Sequence, residues 1–306
     1  QAEASGNWSK PDENLGYIKK FQRTYGADII PSSTKISMEI FYNEWNIFGK
    51  MAKIYALLGF VLLFIHFMLI FKPGKGLSKY VNIGTVLIAV AFLCYTFGLI
   101  ARWYISGHAP WSNGYETMIY VGWATSLSGF IFLKRSPITL AVTTLLASII
   151  LFVAGMSWMN PEITNLVPVL KSYWLVVHVA IITASYGFLG MGALLGMLNL
   201  VLMILRNKKN NQSISFTILE VSYIVEMALI IGLFMLTIGS FIGGVWANES
   251  WGRYWGWDPK ETWALVTVLV YTIILHLRKV PGLKSTFALN SLALVGLSSV
   301  LMTFFG

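Results

Sequence analysis

Four histidines and a single cysteine limit the metal chemistry available to this chain. The 306-residue sequence contains His66, His108, His178 and His276, and its one cysteine, Cys94, lies within an apolar run. One cysteine cannot form an internal disulfide, a multi-cysteine zinc site or a Cys-x-x-Cys redox pair. A metal bound by this chain would therefore depend mainly on histidine or carboxylate ligands.

The most unusual cluster of side chains lies in residues 251–264, which read Trp-Gly-Arg-Tyr-Trp-Gly-Trp-Asp-Pro-Lys-Glu-Thr-Trp-Ala. So many flat aromatic faces suit a planar apolar ligand or a partner protein. Three rings and a carboxylate have the spacing i, i+3, i+4, i+7 and would share one face if the segment is helical. These residues are Trp251, Tyr254, Trp255 and Asp258. Asp258 also fits a helix N-cap, because Pro259 would take the first helical position and Glu261 follows three residues after the cap.

The elements that would position these groups are membrane spans. Hydrophobic residues make up 56% of the chain, charged residues 11%, and the mean hydropathy is +0.68, far from the usage of soluble proteins. Eight apolar runs are long enough to cross the ~30 Å hydrocarbon core. They lie near 52–72, 81–105, 115–133, 137–157, 173–205, 217–246, 259–277 and 286–305. The sequence predicts an all-α integral membrane protein, a polytopic bundle of about eight transmembrane helices with an external tryptophan-rich motif.

The distribution of positive charge predicts the orientation. The net charge is +9, but the basic residues fall in short clusters between apolar runs, which excludes nucleic acid as a partner. Alternate connections carry eleven Lys and Arg on one side and four on the other. The positive-inside rule places the eleven in the cytoplasm and both chain ends outside.

Tryptophan follows the same asymmetry. Nine tryptophans lie at or beyond the outer ends of the predicted spans: Trp103, Trp111, Trp158, Trp174, Trp246, Trp251, Trp255, Trp257 and Trp263. An interfacial belt accounts for some of them, but not for four within residues 251–263. We expect an extracytoplasmic segment and interfacial helix at 1–50 and a transmembrane domain at 51–306, with the motif at 246–264. The chain opens on Gln1 without an initiator methionine, which suggests a piece of a longer protein.

Residues 251–264 resemble the tryptophan-rich "WWD" signature of the haem-handling proteins that build c-type cytochromes. The ending Asp-Pro-Lys-Glu-Thr-Trp-Ala resembles the CcsA (ResC) branch, including the CcsA half of the fused CcsBA form. Residues 107–116, 166–168 and 173–178 also match, and the likeness covers roughly 40–306.

The resemblance implies a holocytochrome c synthase of the haem lyase type, which carries haem (haem b, iron protoporphyrin IX) to the outer, periplasm-facing side of the inner membrane. There the haem would be attached to the Cys-x-x-Cys-His segment of an apocytochrome c. The implied partners are a CcsB-type half, separate or fused upstream, and membrane lipid. The implied catalytic set is Trp251, Tyr254, Trp255, Trp257 and Asp258.

The resemblance also implies iron ligands. It makes His178 an axial ligand of the external haem and His276 a ligand of a second haem within the membrane. The remaining residues expected to contact haem are Arg253, Trp255, Trp257, Trp263 and His108. Family members usually add an external tail with a further histidine, and because this sequence ends at Gly306, the second axial ligand of the external haem is unassigned.

Alternatives remain open for individual residues. His178 also fits a hydrogen-bonded interface histidine, and His276 one that reaches towards the membrane surface. A pairing of His66 with His276 is only a geometric possibility. His108 fits a propionate contact or a loop-ordering role. The outer basic groups suited to the propionates are Arg102, Lys171, Arg253 and Lys260, with Arg253 favoured.

Two other functions compete with the synthase. The first is a haem chaperone or exporter without ligase activity. The second is an ion-coupled transporter in which His276 and Glu226 relay protons, which leaves the tryptophan cluster unexplained. Glu226 also fits a polar contact inside the bundle, and Glu116 a cap or anchor of the third span.

Overall fold

The computed structural model describes residues 6–27, 29–71, 76–164, 172–207 and 211–305. All regular secondary structure in these residues is helical, which confirms the all-α prediction. The helices are α1 (Ser9–Tyr25), α2 (Ser33–Trp45), α3 (Ile47–Phe71), α4 (Ser78–Ser106), α5 (Gly114–Phe132), α6 (Pro137–Ala154), α7 (Tyr173–Leu205), α8 (Asn211–Trp251), α9 (Pro259–Leu277) and α10 (Thr286–Phe305).

The chain divides into two units between Trp45 and Asn46. The N-terminal unit contains α1 and α2, and neither helix has a buried residue. The second unit begins at Asn46, a residue with a positive φ of 42°. It contains α3 to α10 and all the histidines.

Seven helical runs in the described residues are long and apolar enough to cross a membrane, and the chain is a multi-pass membrane protein. They are Ser33–Phe71, which includes α3, Ser78–Ser106, Pro137–Ala154, Tyr173–Leu205, Asn211–Trp251, Pro259–Leu277 and Thr286–Phe304. The third predicted span, α5, has 19 residues but is not among the seven. Eleven of its residues are buried, so α5 faces mostly protein, which tolerates small and polar residues better than lipid does.

The longest helices extend beyond the spans predicted for them. α7 has 33 residues and α8 has 41, and at 1.5 Å per residue α8 is about 60 Å long, twice the ~30 Å hydrocarbon core. The predicted span 217–246 therefore continues at both ends. Its extension carries the helix into the tryptophan motif as far as Trp251.

The core lies around the pair α7 and α8, which forms the most extensive helix contact and is completed by α10 and α9. Gly196 permits one close approach, since a Cβ there would lie 2.8 Å from the Asn290 carbonyl oxygen. At the same level Asn199 donates from its amide to Ser222 Oγ at 2.8 Å and Asn290 Oδ1 at 3.1 Å. Such interhelical hydrogen bonds hold membrane helices together where the hydrophobic effect cannot.

A second group of helices, α3, α4, α5 and α6, packs against this core. α6 contacts both α3 and α5 extensively, and α5 in turn contacts α7. Leu62, Ile88 and Leu140 form the centre of the cluster between α3, α4 and α6. This arrangement places the first turn of α5 beside the first turns of α7.

Candidate functional site

A cavity of about 490 Å³ lies between α7, the end of α8, the tryptophan motif and the loop that precedes α5. Its walls are formed by some of the residues within the segments 111–117, 175–186, 240–251, 254–264 and 303–304. The volume falls in the range of small-molecule and cofactor sites. Five predicted site residues line it together: His178, Trp251, Tyr254, Trp255 and Asp258.

His178 has a defined tautomer in this cavity. Its Nδ1 lies 2.7 Å from the backbone oxygen of Gly239 on α8. A carbonyl oxygen can only accept a hydrogen bond, so in the neutral imidazole Nδ1 carries the proton and Nε2 keeps the lone pair. Metal-ligating histidines show this same arrangement, in which a carbonyl fixes the ring and leaves the other nitrogen for the metal.

Gly243 makes room for the His178 ring. A Cβ at this position would lie 2.5 Å from Nδ1 and 3.0 Å from Nε2, which is closer than atoms can approach. Any side chain larger than hydrogen would displace the imidazole. The Gly239 carbonyl therefore holds the ring, and Gly243, one helical turn further along α8, leaves the space that the ring occupies.

The motif is not a helix, so the condition under which its spacing would align the rings on one face is not met. α8 ends at Trp251, Gly252 follows with a φ of 69°, and the chain is irregular until α9 begins at Pro259. A glycine adopts such a positive φ without strain, so it stops the helix here. The resulting turn still brings Trp251, Tyr254 and Trp255 to one cavity.

Asp258 caps α9, which confirms the capping prediction. Its Oδ1 accepts a hydrogen bond of 2.8 Å from the Glu261 backbone N–H. In a capping box the Glu261 side chain would accept a hydrogen bond from the Asp258 backbone N–H. Here Glu261 Oε2 accepts instead from the Gly256 N–H at 2.6 Å. Two carboxylates thus fix the loop that carries Trp255 and Trp257, whose rings meet edge to face at 6.0 Å.

Several predicted haem contacts do not line the cavity. These are His108, Arg253, Trp257, Trp263 and His276. Arg253 is exposed, with its guanidinium folded towards Gly256. Lys260 is the outer basic residue that lines the cavity in the described part of the chain. Lys171 and residues 166–168 lie outside the described residues.

Arg102 requires a correction, because it is not placed to receive a propionate. Its side chain is 0% exposed and forms an ion pair with Glu116, with Nε 2.8 Å from Oε1. Its terminal nitrogens donate to the backbone oxygens of Pro161 at 2.8 Å and Glu162 at 3.1 Å. The paired Glu116 anchors the start of α5, as predicted, by accepting from the Ser112 N–H at 2.9 Å.

The other histidines have separate surroundings. The His108 nitrogens lie 3.2 Å from the backbone oxygens of Ala109 and Thr164, which favours loop ordering. His276 is exposed, and its Nδ1 lies 2.7 Å from the Thr272 carbonyl oxygen on its own helix. His66 is buried beside the Pro137 carbonyl at the start of α6. The structure therefore gives no support for pairing His66 with His276.

Glu226 makes a polar contact inside the bundle, as expected. Its Oε2 lies 2.9 Å from a guanidinium nitrogen of Arg278, and both side chains are about one third exposed. This pairing joins α8 to the end of α9. It does not place Glu226 in a proton relay with His276, which bonds to its own helix.

Some cavity residues were missed by reasoning from sequence. Tyr186 and Phe304 meet edge to face at 6.3 Å and line the cavity from the interiors of α7 and α10. No sequence signal distinguishes them from core aromatics. Trp246 is predicted from sequence only as an outer tryptophan. Its Nε1 is buried and has no hydrogen-bond partner in the described residues, and the same is true of Trp255 Nε1.

The cavity residues fit an iron porphyrin. The lining combines aromatic rings with one imidazole whose Nε2 carries a lone pair. Four porphyrin nitrogens already coordinate a haem iron, so the protein has to supply only axial ligands. One imidazole can be such a ligand. The indole N–H groups of Trp246 and Trp255 have no hydrogen-bond partner among the described residues. Together with Lys260 they are donors suited to carboxylates.

Comparison with known proteins identifies the family. The model of the family described as "Cytochrome C assembly protein" matches residues 111–306, which include the whole cavity. The chain belongs to the cytochrome c assembly family.

Two relatives show how far this family likeness extends. Protein NrfI of Wolinella succinogenes is 45% identical over 295 residues, which are 96% of this chain and 32% of NrfI. The chain thus spans about a third of that relative. The cytochrome c biogenesis protein CcsA of a Synechococcus strain is 36% identical over 250 residues, which are 72% of this chain and 81% of CcsA.

A solved structure shares the fold. The chain designated "Cytochrome c Heme Lyase CcmF" superposes with a TM-score of 0.58 at 17% identity and covers 84% of this chain and 46% of that one. At this identity the likeness concerns the fold. The resemblance to CcsA noted from the motif is confirmed by the family match and by the CcsA relatives.

Proposed function

We propose that the cavity receives haem, with His178 Nε2 as an axial ligand, and presents it to an apocytochrome c for covalent attachment. The observation that carries the proposal is the contact of His178 Nδ1 with the Gly239 carbonyl oxygen. The Gly239 carbonyl holds the proton on Nδ1 at 2.7 Å, so the lone pair of Nε2 is available within an aromatic cavity. Membership of the cytochrome c assembly family supports haem as the ligand.

The tryptophan motif would hold the flat face of the haem. Trp251, Tyr254 and Trp255 line the cavity from the turn, and Trp246 contacts Trp251 edge to face at 4.7 Å. Asp258 and Glu261 fix this turn through the hydrogen bonds already described. Their role is positional, because both carboxylates are used to hold the backbone.

The propionates would lie towards Lys260. Lys260 lines the cavity, whereas Arg253, the residue favoured from sequence, does not, and both side chains are exposed. Arg253 then acts at the rim, where an arginine can still grip a carboxylate. Trp257, Trp263 and His108 would support the surrounding loops rather than contact the ring.

The attachment reaction depends more on the relative positions of the thiols and the vinyl groups than on acid–base catalysis by the protein. Each cysteine S–H adds across one vinyl double bond of the haem, so that sulfur bonds to one carbon and the hydrogen goes to its neighbour. The addition consumes no oxidant and releases no leaving group. The contribution of the chain is to hold the vinyl groups near the incoming thiols and to keep the iron coordinated.

The same proposal includes a route and an orientation. Haem would enter from the cytoplasm near His276 and reach the outer cavity, which faces the periplasm if the chain lies in the inner membrane. A CcsB-type half, separate or fused upstream, would supply the remaining ligand for the inner haem. The eleven-to-four distribution of Lys and Arg supports this orientation, since positive loops stay in the cytoplasm.

Replacing His178 with glycine tests the proposal. We expect the purified His178→Gly variant to lose haem or its low-spin absorption spectrum, and cytochrome c maturation to stop. Added imidazole should restore part of both, because it supplies the missing nitrogen without the tether. A wild-type spectrum with full maturation activity in His178→Gly would refute the ligand assignment.

Co-expression with an apocytochrome c tests the ligase step separately. A synthase yields covalently bound haem on the Cys-x-x-Cys-His segment, while a chaperone or exporter yields haem-loaded membrane protein and no product. His178→Gly in the same experiment is the control for haem that attaches without the cavity.

A further inference from the structure

Arg102 and Glu116 form a buried ion pair that the proposed haem chemistry does not use. Their side chains are 0% and 1% exposed, and Nε lies 2.8 Å from Oε1. The Arg102 guanidinium also lies over the Tyr115 ring, 5.1 Å from its centroid. A buried pair of charges is weak evidence for stability, because well-packed apolar residues often stabilise as much.

The pair organises two loops. Arg102 donates to the backbone oxygens of Pro161 and Glu162, in the segment after α6. Glu116 accepts from the Ser112 N–H at 2.9 Å, in the loop between α4 and α5. One guanidinium and one carboxylate thus connect the end of α4, the start of α5 and both loops.

The loop held by Glu116 carries Trp111, which is part of the cavity wall. Trp111 Nε1 donates to the Val176 carbonyl oxygen on α7 at 3.0 Å. Val176 lies two residues before His178 on the same helix, so this bond joins the loop to the segment that presents the imidazole. The Tyr120 ring packs against Trp111 with centroids 4.6 Å apart.

We propose that Arg102 and Glu116 are positioning residues for the cavity, which act through Trp111 on the helix that carries His178. The purpose of this positioning rests on the proposed haem function, but the contacts between these residues do not depend on it. The pair holds Ser112, the adjacent Trp111 bonds to Val176, and the first turns of α7 keep their place beside the cavity. Neither Arg102 nor Glu116 lines the cavity.

A double-mutant cycle tests this chain of contacts. Glu116→Gln removes the charge of the pair and keeps the shape of the side chain. Trp111→Phe keeps an aromatic ring and removes the indole N–H that bonds to Val176, together with part of the ring. We expect each variant of the full-length protein to bind haem about fivefold more weakly, with an altered low-spin spectrum. The double variant should be no weaker than Glu116→Gln alone, because both changes break the same path.

Two control variants separate positioning from general stability. Glu226→Gln weakens the ion pair with Arg278, which joins α8 to the end of α9, and should leave the spectrum unchanged. Trp103→Phe makes the same chemical change as Trp111→Phe in a ring that contacts Trp111 but does not line the cavity. It should also retain wild-type haem affinity.

Hydrogen exchange of the haem-free protein gives a readout that does not depend on haem binding. Glu116→Gln should speed exchange in residues 107–113 and 173–178, and Trp111→Phe in residues 173–178 alone. This measurement decides the positioning role even if His178→Gly refutes the haem site. If Glu116→Gln does not fold, Trp111→Phe decides the question. Wild-type exchange at 173–178 in Trp111→Phe, or additive losses of haem affinity in the cycle, would overturn the inference.

Discussion

Gly243→Ala should displace the His178 imidazole while leaving every residue proposed to bind haem unchanged in sequence. The new Cβ would lie 2.5 Å from Nδ1 and 3.0 Å from Nε2, whereas non-bonded heavy atoms settle at about 3.5–4.0 Å. The ring must therefore retreat by about 1 Å. α8 is packed against α7 along its length, so the side chain has to move rather than the helices.

The expected loss follows from the bond that the retreat breaks. Nδ1 lies 2.7 Å from the Gly239 oxygen, and a shift of about 1 Å takes this distance beyond hydrogen-bonding range. Losing the bond costs about 0.5–1.5 kcal/mol, and an off-rotamer imidazole costs a similar amount. The sum of about 1–3 kcal/mol corresponds to haem binding weakened about 5- to 150-fold.

Gly244→Ala is the matched control. Its Cβ would meet only the Tyr254 carbonyl oxygen, at 3.1 Å, which requires an adjustment of a few tenths of an ångström. Both substitutions gain the same ~1 kcal/mol of helix propensity within α8, so their difference isolates the contact with His178. The assay is haem titration of the purified apoprotein, followed by absorption spectroscopy of the low-spin bands.

The result that refutes this reasoning is equal behaviour of the two variants. If Gly243→Ala binds haem with wild-type affinity and spectrum, Nε2 is not an iron ligand in the observed orientation. If both variants lose haem equally, the cause is a general narrowing of the cavity. Only a selective loss in Gly243→Ala, partly reversed by added imidazole, supports the proposed ligand.

Two further predictions concern orientation and route. A cysteine placed at Asn248 should react with an impermeant reagent added to intact cells and one placed at Asn207 should not, so labelling at Asn207 would contradict the proposed orientation. His276→Ala should lower haem at both the inner and the outer site, whereas Trp255→Ala should empty mainly the outer one, because a block early in a path empties everything beyond it. Haem extraction and spectra of the purified variants measure both occupancies, and a fully loaded outer site in His276→Ala would remove His276 from the route.

The membrane class and the motif could be predicted from the sequence because both depend on local information. Long apolar runs predict helices in lipid regardless of their neighbours, since backbone polar groups there must bond within the helix. The cap at Asp258 was predictable for the same reason, because Pro259 and Glu261 are adjacent in sequence and the cap needs no distant partner. The family resemblance likewise rests on short local segments, mainly residues 251–264 with further matches at 107–116, 166–168 and 173–178.

Predictions that depended on distant contacts were less successful. Arg102 carries a positive charge near the outer side, so its sequence position suited a propionate, but Glu116 and the backbone of 161–162 bind it instead. The spacing of the motif gives a shared face only if the segment is helical, and Gly252 ends the helix before that face can form. Helical periodicity reports which residues could align and does not report where the helix stops.

The orientation of the His178 ring was decided by tertiary structure alone. The sequence places a histidine near the start of a membrane helix, where an interface residue and an iron ligand look identical. What the sequence does not show is the packing of α8, where Gly239, 61 residues further along the chain, places its carbonyl oxygen beside Nδ1 and Gly243 leaves the space that admits the ring. A hydrogen bond and a steric gap between two helices depend on how those helices pack, and packing is a property of the whole bundle that no local pattern contains.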